Sequence, residues 1–229
     1  MRNHPKLAIL ASGRSNSIYL HAGGADAFIN PGSDAKYRRM TQPFLRYQGV
    51  NQLCLLPSCR LDADHEGCLK QIERQFTCVS AMNGAATQLE LINERVERDT
   101  DSTVVNLDET GIRVRAAPSN RNASRILVGM GRYQILLMAD SHRGSSLDKD
   151  DRTVDLVSVS SPRSFPPADV QSRYNPQVVV YAQGKRSERS TRSPTLFLSE
   201  EGAVTLELCG DALKLQTFRG GQFTFRKRN

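Results

Sequence analysis

Short apolar bursts, each closed by a turn signal, run along most of this chain and constrain its fold more than any other feature. LAILA (7–11), SIYLH (17–21) and DAFIN (26–30) are separated by Ser12-Gly13 and Gly23-Gly24, which predicts a meander of three strands. From Ala35 to Tyr47 the residues Tyr37, Met40, Phe44 and Leu45 recur at helical spacing, with Pro43 as a break or restart. QLCLL (52–56) reads as a compact buried strand, GCLKQIERQF (67–76) places Leu69, Ile72 and Phe76 on one helical face, and TCVSA returns to strand. The unit is β-loop-α-β. A helical piece is expected near Ala85–Val96, and the rest is strand-rich: TVVNL, GIRVRAA, SRILVG, YQILLMA, VDLVSVS, QVVVYA, TLFLS, AVTLEL, LKLQTF and QFTFR. Polar loops are expected at 140–153 and 160–176, and no internal repeat is present.

A chain of 229 residues can bury one sizeable core, so a single α+β domain over 1–229 is expected. With 38% hydrophobic residues and a mean hydropathy of −0.46, no apolar run reaches the length of a membrane span, and the basic start followed by a short alternating run does not read as a secretory signal. Cys54, Cys59, Cys68, Cys78 and Cys209 are odd in number with no C-x-x-C spacing, which argues against a disulfide framework. Cys54 and Cys209 lie inside strand-like runs and are expected to be buried.

A net charge of +7 favours polyanionic partners, DNA among them, although scattered basic residues also simply keep a protein in solution. The local concentration is KRSERSTR, whose Lys185, Arg186, Arg189 and Arg192 are the candidate nucleic-acid contacts; a solvated loop explains them equally well.

"LLPSCRLDADHEGC" (55–68) bunches Asp62, Asp64 and His65 at the end of the fourth strand run. Carboxylates at alternate positions beside an imidazole suit a divalent ion such as zinc or manganese. Loops at the carboxyl ends of strands in α/β sheets are where such groups gather. Asp140 follows YQILLMA in the same way, with His142 close by. Against this, Asp62 and Asp64 also serve as caps for a helix beginning near Glu66, His65 as a hydrogen-bonding core histidine, and Asp140 as a turn residue. His4 and His21 have no companions in sequence. Ser160, Ser161 and Ser164 lack a histidine at triad spacing, and no phosphate-binding glycine loop occurs.

Several segments, taken in order, resemble the metallo-β-lactamase-like domain of ComEC-type DNA-uptake (competence) proteins. Ala11, Ser12, Gly13, Arg14, Ser15 and Asn16 stand where that family has a D-V-G-Q-G-D-type turn. "INPGSD" resembles its I-D-x-G turn, with Asn30 for the aspartate. "CRLDADHEGC" resembles S/T-H-x-D/H-x-D-H-x-G-G, with Arg60 at the first metal histidine and Asp62, Asp64 and His65 at ligand positions. "YQILLMADSH" places Asp140 at the bridging aspartate, and "VDLVSVSSPRS" places Ser161 and Pro162 where two histidines belong. "NPQVVVYAQG" and "SEEGAVTLEL" extend the likeness, which runs from about residue 6 to 218.

The resemblance implies a four-layer αβ/βα sandwich and a degenerate metal site. One ion position keeps only Asp62 and Asp140, and Arg60 puts a permanent cation there, occluding it. The other keeps Asp64, His65 and Asp140, with His142 as a substitute for the missing histidine. The expected cofactor is therefore none, or one weakly bound divalent metal. The first reading is a non-catalytic domain that binds DNA or a protein partner. The alternative is a single-metal nuclease or phosphodiesterase in which Asp62 and Asp64 are catalytic, Asp62 orienting the water. The resemblance also implies a membrane channel protein as partner and a place on the extracytoplasmic face of the cytoplasmic membrane; a free-standing chain would be cytoplasmic.

Overall fold

The computed structural model describes residues 4–11, 16–30, 33–55, 63–80, 95–99, 102–106, 112–117, 125–138, 154–160, 162–163, 166–184 and 193–226. The predicted meander forms: β1 (Lys6–Ala11), β2 (Asn16–Ala22) and β3 (Ala25–Ile29) pair antiparallel in succession. A continuous helical segment then runs through α1 (Asp34–Lys36), a π-helical turn (Tyr37–Thr41) and α2 (Gln42–Tyr47). Pro43 sits in the first turn of α2, so the sequence's restart is real. A proline ring in a regular helix strikes the carbonyl four residues back and donates no bond; here the Gln42 N–H reaches the wider-spaced Tyr37 carbonyl just before it.

β4 (Gln52–Leu55), α3 (Ala63–Gln75) and β5 (Thr77–Ser80) complete the expected β-loop-α-β unit, β4 and β5 being parallel. The second half contributes β6 (Arg95–Asp99), β7 (Ser102–Asn106), β8 (Ile112–Ala117), β9 (Arg125–Met130), β10 (Tyr133–Met138), β11 (Leu156–Val159), β12 (Val178–Tyr181) and β13 (Thr195–Phe197). Two helices, α4 (Pro167–Tyr174) and α5 (Leu198–Glu201), precede β14 (Val204–Cys209), β15 (Ala212–Thr217) and β16 (Gln222–Phe225).

Two eight-stranded sheets result, ordered β16-β15-β14-β1-β2-β3-β4-β5 and β13-β12-β11-β10-β9-β8-β7-β6. Their facing sides share one core, with Leu7, Ile9, Ile18 and Leu206 from the first sheet against Val128, Ile135, Leu156 and Val180 from the second. Each such side chain contributes about 1.5–3 kcal/mol on full burial. Outside the first sheet, Cys68, Ile72 and Phe76 of α3 and its C-terminal end join Tyr37 and Leu45 over Ala8, Tyr19 and Phe28. Outside the second, Val170 and Tyr174 of α4 pack on Val157, Val179 and Tyr181. Helix, sheet, sheet, helix is the expected αβ/βα order.

Four expectations need correction. The segment read as loop over 160–176 contains α4, where Pro167 opens the helix and Val170 and Tyr174 supply an apolar edge. Arg95 and Val96, expected to end a helix, begin β6; residues 81–94 lie outside the described set. α3 begins at Ala63, three residues before Glu66. Cys209 is half-buried, because the alternation that turns Val204 and Leu206 inward turns residue 209 outward.

Candidate functional site

Parallel pairing collects strand ends. In the first sheet Phe28 of β3 pairs with Leu55 of β4, and Leu55 with Ser80 of β5. In the second, Met138, Val159, Tyr181 and Phe197 stand in one row at the carboxyl ends of β10 to β13. The two rows lie at the same end of the sandwich, because Asn16, at the start of β2 and opposite Ala11, reaches across the inter-sheet space. Its Nδ2 donates to Ser158 Oγ and, at 3.4 Å, to the Val159 carbonyl. The chain leaving β4 carries Asp62 and the chain leaving β10 carries Asp140, so both leave from this one rim.

α3 follows β4, and Asp64 and His65 occupy its first turn. Asp64 is therefore inside the helix and not its cap, and helical spacing, not loop geometry, sets its relation to His65. Arg60, Asp62, Asp140, His142, Ser161, Lys185, Arg186, Arg189 and Arg192 lie outside the described residues, as do the side chains of Asp64 and His65. The structure thus brings together the strand ends after which the candidate ligands follow in sequence, and the ligand set itself rests on the sequence.

Several of the described groups at the rim are neutral. Asn16 is 8% exposed, and its Oδ1 has no hydrogen-bond partner among the described residues. Asn30, at the end of β3, is equally buried and holds a left-handed φ of 53°, a conformation asparagine tolerates better than most residues. Pro162 packs as an apolar ring: a Cβ on Gly184 would lie 3.0 Å from its Cγ and 2.8 Å from Phe197 Cε1, and Gly184 itself has φ 121°, so only glycine fits there. Cys68, one turn and a little beyond Asp64 on α3, is fully buried. Burial first, and the Asp34 carboxylate second, push its thiol up to about 12.

At the opposite end of the sandwich are polar contacts that single-sequence reading missed. Asp26 Oδ1 meets His21 Nδ1 at 2.7 Å and accepts from Tyr19 O–H at 2.5 Å, so His21 does have companions. Asp155 accepts from the Gln134 N–H at 2.9 Å and from Gln177 Nε2 at 2.8 Å. Tyr133, on the inner face of β10, directs its hydroxyl at the carbonyls of Asp211 (2.7 Å) and Phe225 (3.0 Å) in the other sheet. The first of these was legible, since His21 and Asp26 flank a Gly-Gly hairpin and fall opposite each other in its register.

No family model and no curated protein sequence matches the chain. A solved structure does: the metallo-beta-lactamase fold protein YhfI from Bacillus subtilis, with a TM-score of 0.52 at 6% identity, covering 89% of this chain and 100% of that one. This is a metallo-β-lactamase fold. At such low identity the likeness carries architecture alone.

The metallo-β-lactamase fold raises the matter of a metal at the rim, and the described residues test the fit. Among them no three His, Cys, Asp or Glu side chains come together as a metal site. Asn16 Oδ1 is an acceptor a hard cation can use, yet amide and hydroxyl oxygens bring no charge. A proline stands where the resemblance asks for imidazole. This part of the rim does not fit a dinuclear centre.

Proposed function

We propose that the chain is a degenerate, non-catalytic metallo-β-lactamase-fold domain related to ComEC-type DNA-uptake proteins, retained to bind DNA or a protein partner. The observation that supports it best is the Asn16 amide lying across the inter-sheet space to Ser158 and Val159. It fills the mouth of the sandwich with a neutral tie, at a position where the resembling family carries a carboxylate. Arg60 in the place of a metal histidine points the same way. Two-metal phosphodiester chemistry needs ions about 3.5–4 Å apart, and the sequence supplies ligands for no such pair. Among the described residues no helix is long and apolar enough to cross a membrane, so a channel partner would be a separate chain or segment.

A second reading is favoured by one specific feature. α3 starts at Ala63, which sets Asp64 and His65 in adjacent positions of its first turn at the rim. With Asp140 they would hold one zinc or manganese ion, with Asp62 orienting a water. Elemental analysis of protein purified without added metal separates the two readings. Metal-free, folded protein that cleaves neither single- nor double-stranded DNA supports the first. Stoichiometric metal, with nuclease turnover that vanishes in Asp64→Ala, replaces it with the second.

A further inference from the structure

The outward face of the antiparallel half of the second sheet carries arginines whose register neighbours hold no carboxylate. Ile112, Val114, Ile126, Val128 and Met130 are buried toward the other sheet, so alternation places positions 113, 115 and 125 on the opposite face, where Arg113 is exposed. Arg113 lies between Asn106 and Gly129, Arg115 between Val104 and Leu127, and Arg125 between Ala117 and Met138. Arg95 extends the row of Asn106 and Arg113, and among the described residues the acids of this face, Glu97 and Asp99, are confined to the outermost strand β6. Among the described residues α4 packs over β10 to β12, with Leu127 of β9 at its margin.

The other sheet handles its outward charges differently. There Glu207 falls opposite Lys214 on one side and Lys6 on the other, with the Lys6 pair at 3.7 Å, and His21 meets Asp26. Each carboxylate of that row stands opposite a basic side chain. On β8 and β9 no carboxylate stands opposite the arginines, and neighbouring like charges on a sheet repel. Neither core packing nor strand pairing calls for such a cluster.

We propose that the face of β7 to β9 centred on Arg113, Arg115 and Arg125 docks the phosphodiester backbone of nucleic acid. Guanidinium groups bind phosphate bidentately. Positions 113 and 115 are about 6.6–6.8 Å apart along the strand, with Arg125 on the adjacent strand, so the array is an extended patch and not a single anion site. β6 to β9 contain no Phe, Tyr or Trp to stack a base, which makes the contact independent of sequence and strongly salt-dependent. The proposal rests on the DNA-binding reading above and moves its location away from residues 185–192.

Fluorescence anisotropy with labelled single- and double-stranded oligonucleotides of two unrelated sequences tests it. The proteins are wild type, R113Q/R115Q and K185Q/R186Q/R189Q/R192Q, each checked by circular dichroism for an unchanged fold. R113Q/R115Q should weaken binding at least about tenfold at low salt, equally for both sequences, and flatten the log Kd against log [salt] slope by about 1.5–2. If R113Q/R115Q binds as wild type while the quadruple variant fails, the location is wrong and the DNA-binding reading stands. If wild type binds no nucleic acid, or binds anionic phospholipid vesicles or heparin in its place, both fall.

Discussion

Asn16→Asp isolates the neutral tie at the rim. The amide is 8% exposed and gives Nδ2 hydrogens to Ser158 Oγ and the Val159 carbonyl. A carboxylate has neither hydrogen. Ser158 can rotate its hydroxyl to donate, which recovers one bond, but the Val159 carbonyl is then left facing a buried negative charge. The lost bond and the desolvation together cost about 2–4 kcal/mol at neutral pH. For a chain of this length that is a fall in Tm of roughly 4–16 °C. Burial raises the new carboxyl in the folded state above its unfolded value of about 3.9. The protonated form then contributes stability that is present below that value and lost as pH rises through the folded one, so the deficit should be small in acid and largest at neutral pH. Urea titrations of both proteins at pH 4.5 and 7.5 read it directly. An equal midpoint at pH 7.5, or a deficit of the same size at both pH values, would refute the argument. A deficit abolished by zinc or manganese would show a cation-holding rim and overturn the reading that this capacity is gone.

Three further outcomes are expected. Tyr133→Phe removes the hydroxyl that joins the sheets at the Asp211 and Phe225 carbonyls, the first of which keeps a bond from Arg132 Nη2 at 2.8 Å, and should cost about 1–2 kcal/mol with an unchanged urea slope, checked by equilibrium unfolding. Gly184→Ala combines a φ of 121° with a Cβ 2.8 Å from Phe197 and should lower Tm by several degrees, read by scanning calorimetry. With its thiol held near 12, folded Cys68 stays protonated while the unfolded chain begins to ionise it near 9, so stability falls with rising pH across that window by up to about 1.4 kcal/mol per unit. Cys68→Ala should flatten the alkaline limb of the stability curve, and thiol reagents at pH 8 should label the half-buried Cys209 before Cys68.

Local periodicity made much of the fold legible. Alternation and Gly-containing turns located β1 to β3, and the apolar spacing around Pro43 located the interrupted helix. α4 was hidden by two prolines and a polar composition, although Pro at the first helical position and apolar residues four apart were there to be read. The early start of α3 had a signal too, in the acidic residues of its first turn. What no local pattern contains is the pairing of β14 with β1, or a tie between residues 16 and 158, 142 positions apart. For the site, the rule that strand carboxyl ends gather function singles out the rim where β3 to β5 and β10 to β13 end. The neutral partner of Asn16 became visible only once two sheets faced each other.

The polar fastenings of this sandwich are unevenly distributed. Tyr133 stitched to the facing sheet, Asp155 gripping the segments of β10 and β12 and His21 clasped to Asp26 all lie at the end remote from the carboxyl ends of β3 to β5 and β10 to β13. At the mouth end the Asn16 amide spans from one sheet to the other. A scaffold anchored at its base keeps its shape whatever side chains its mouth carries, so ligands there can drift or be regrafted while the two packed sheets stay as they are.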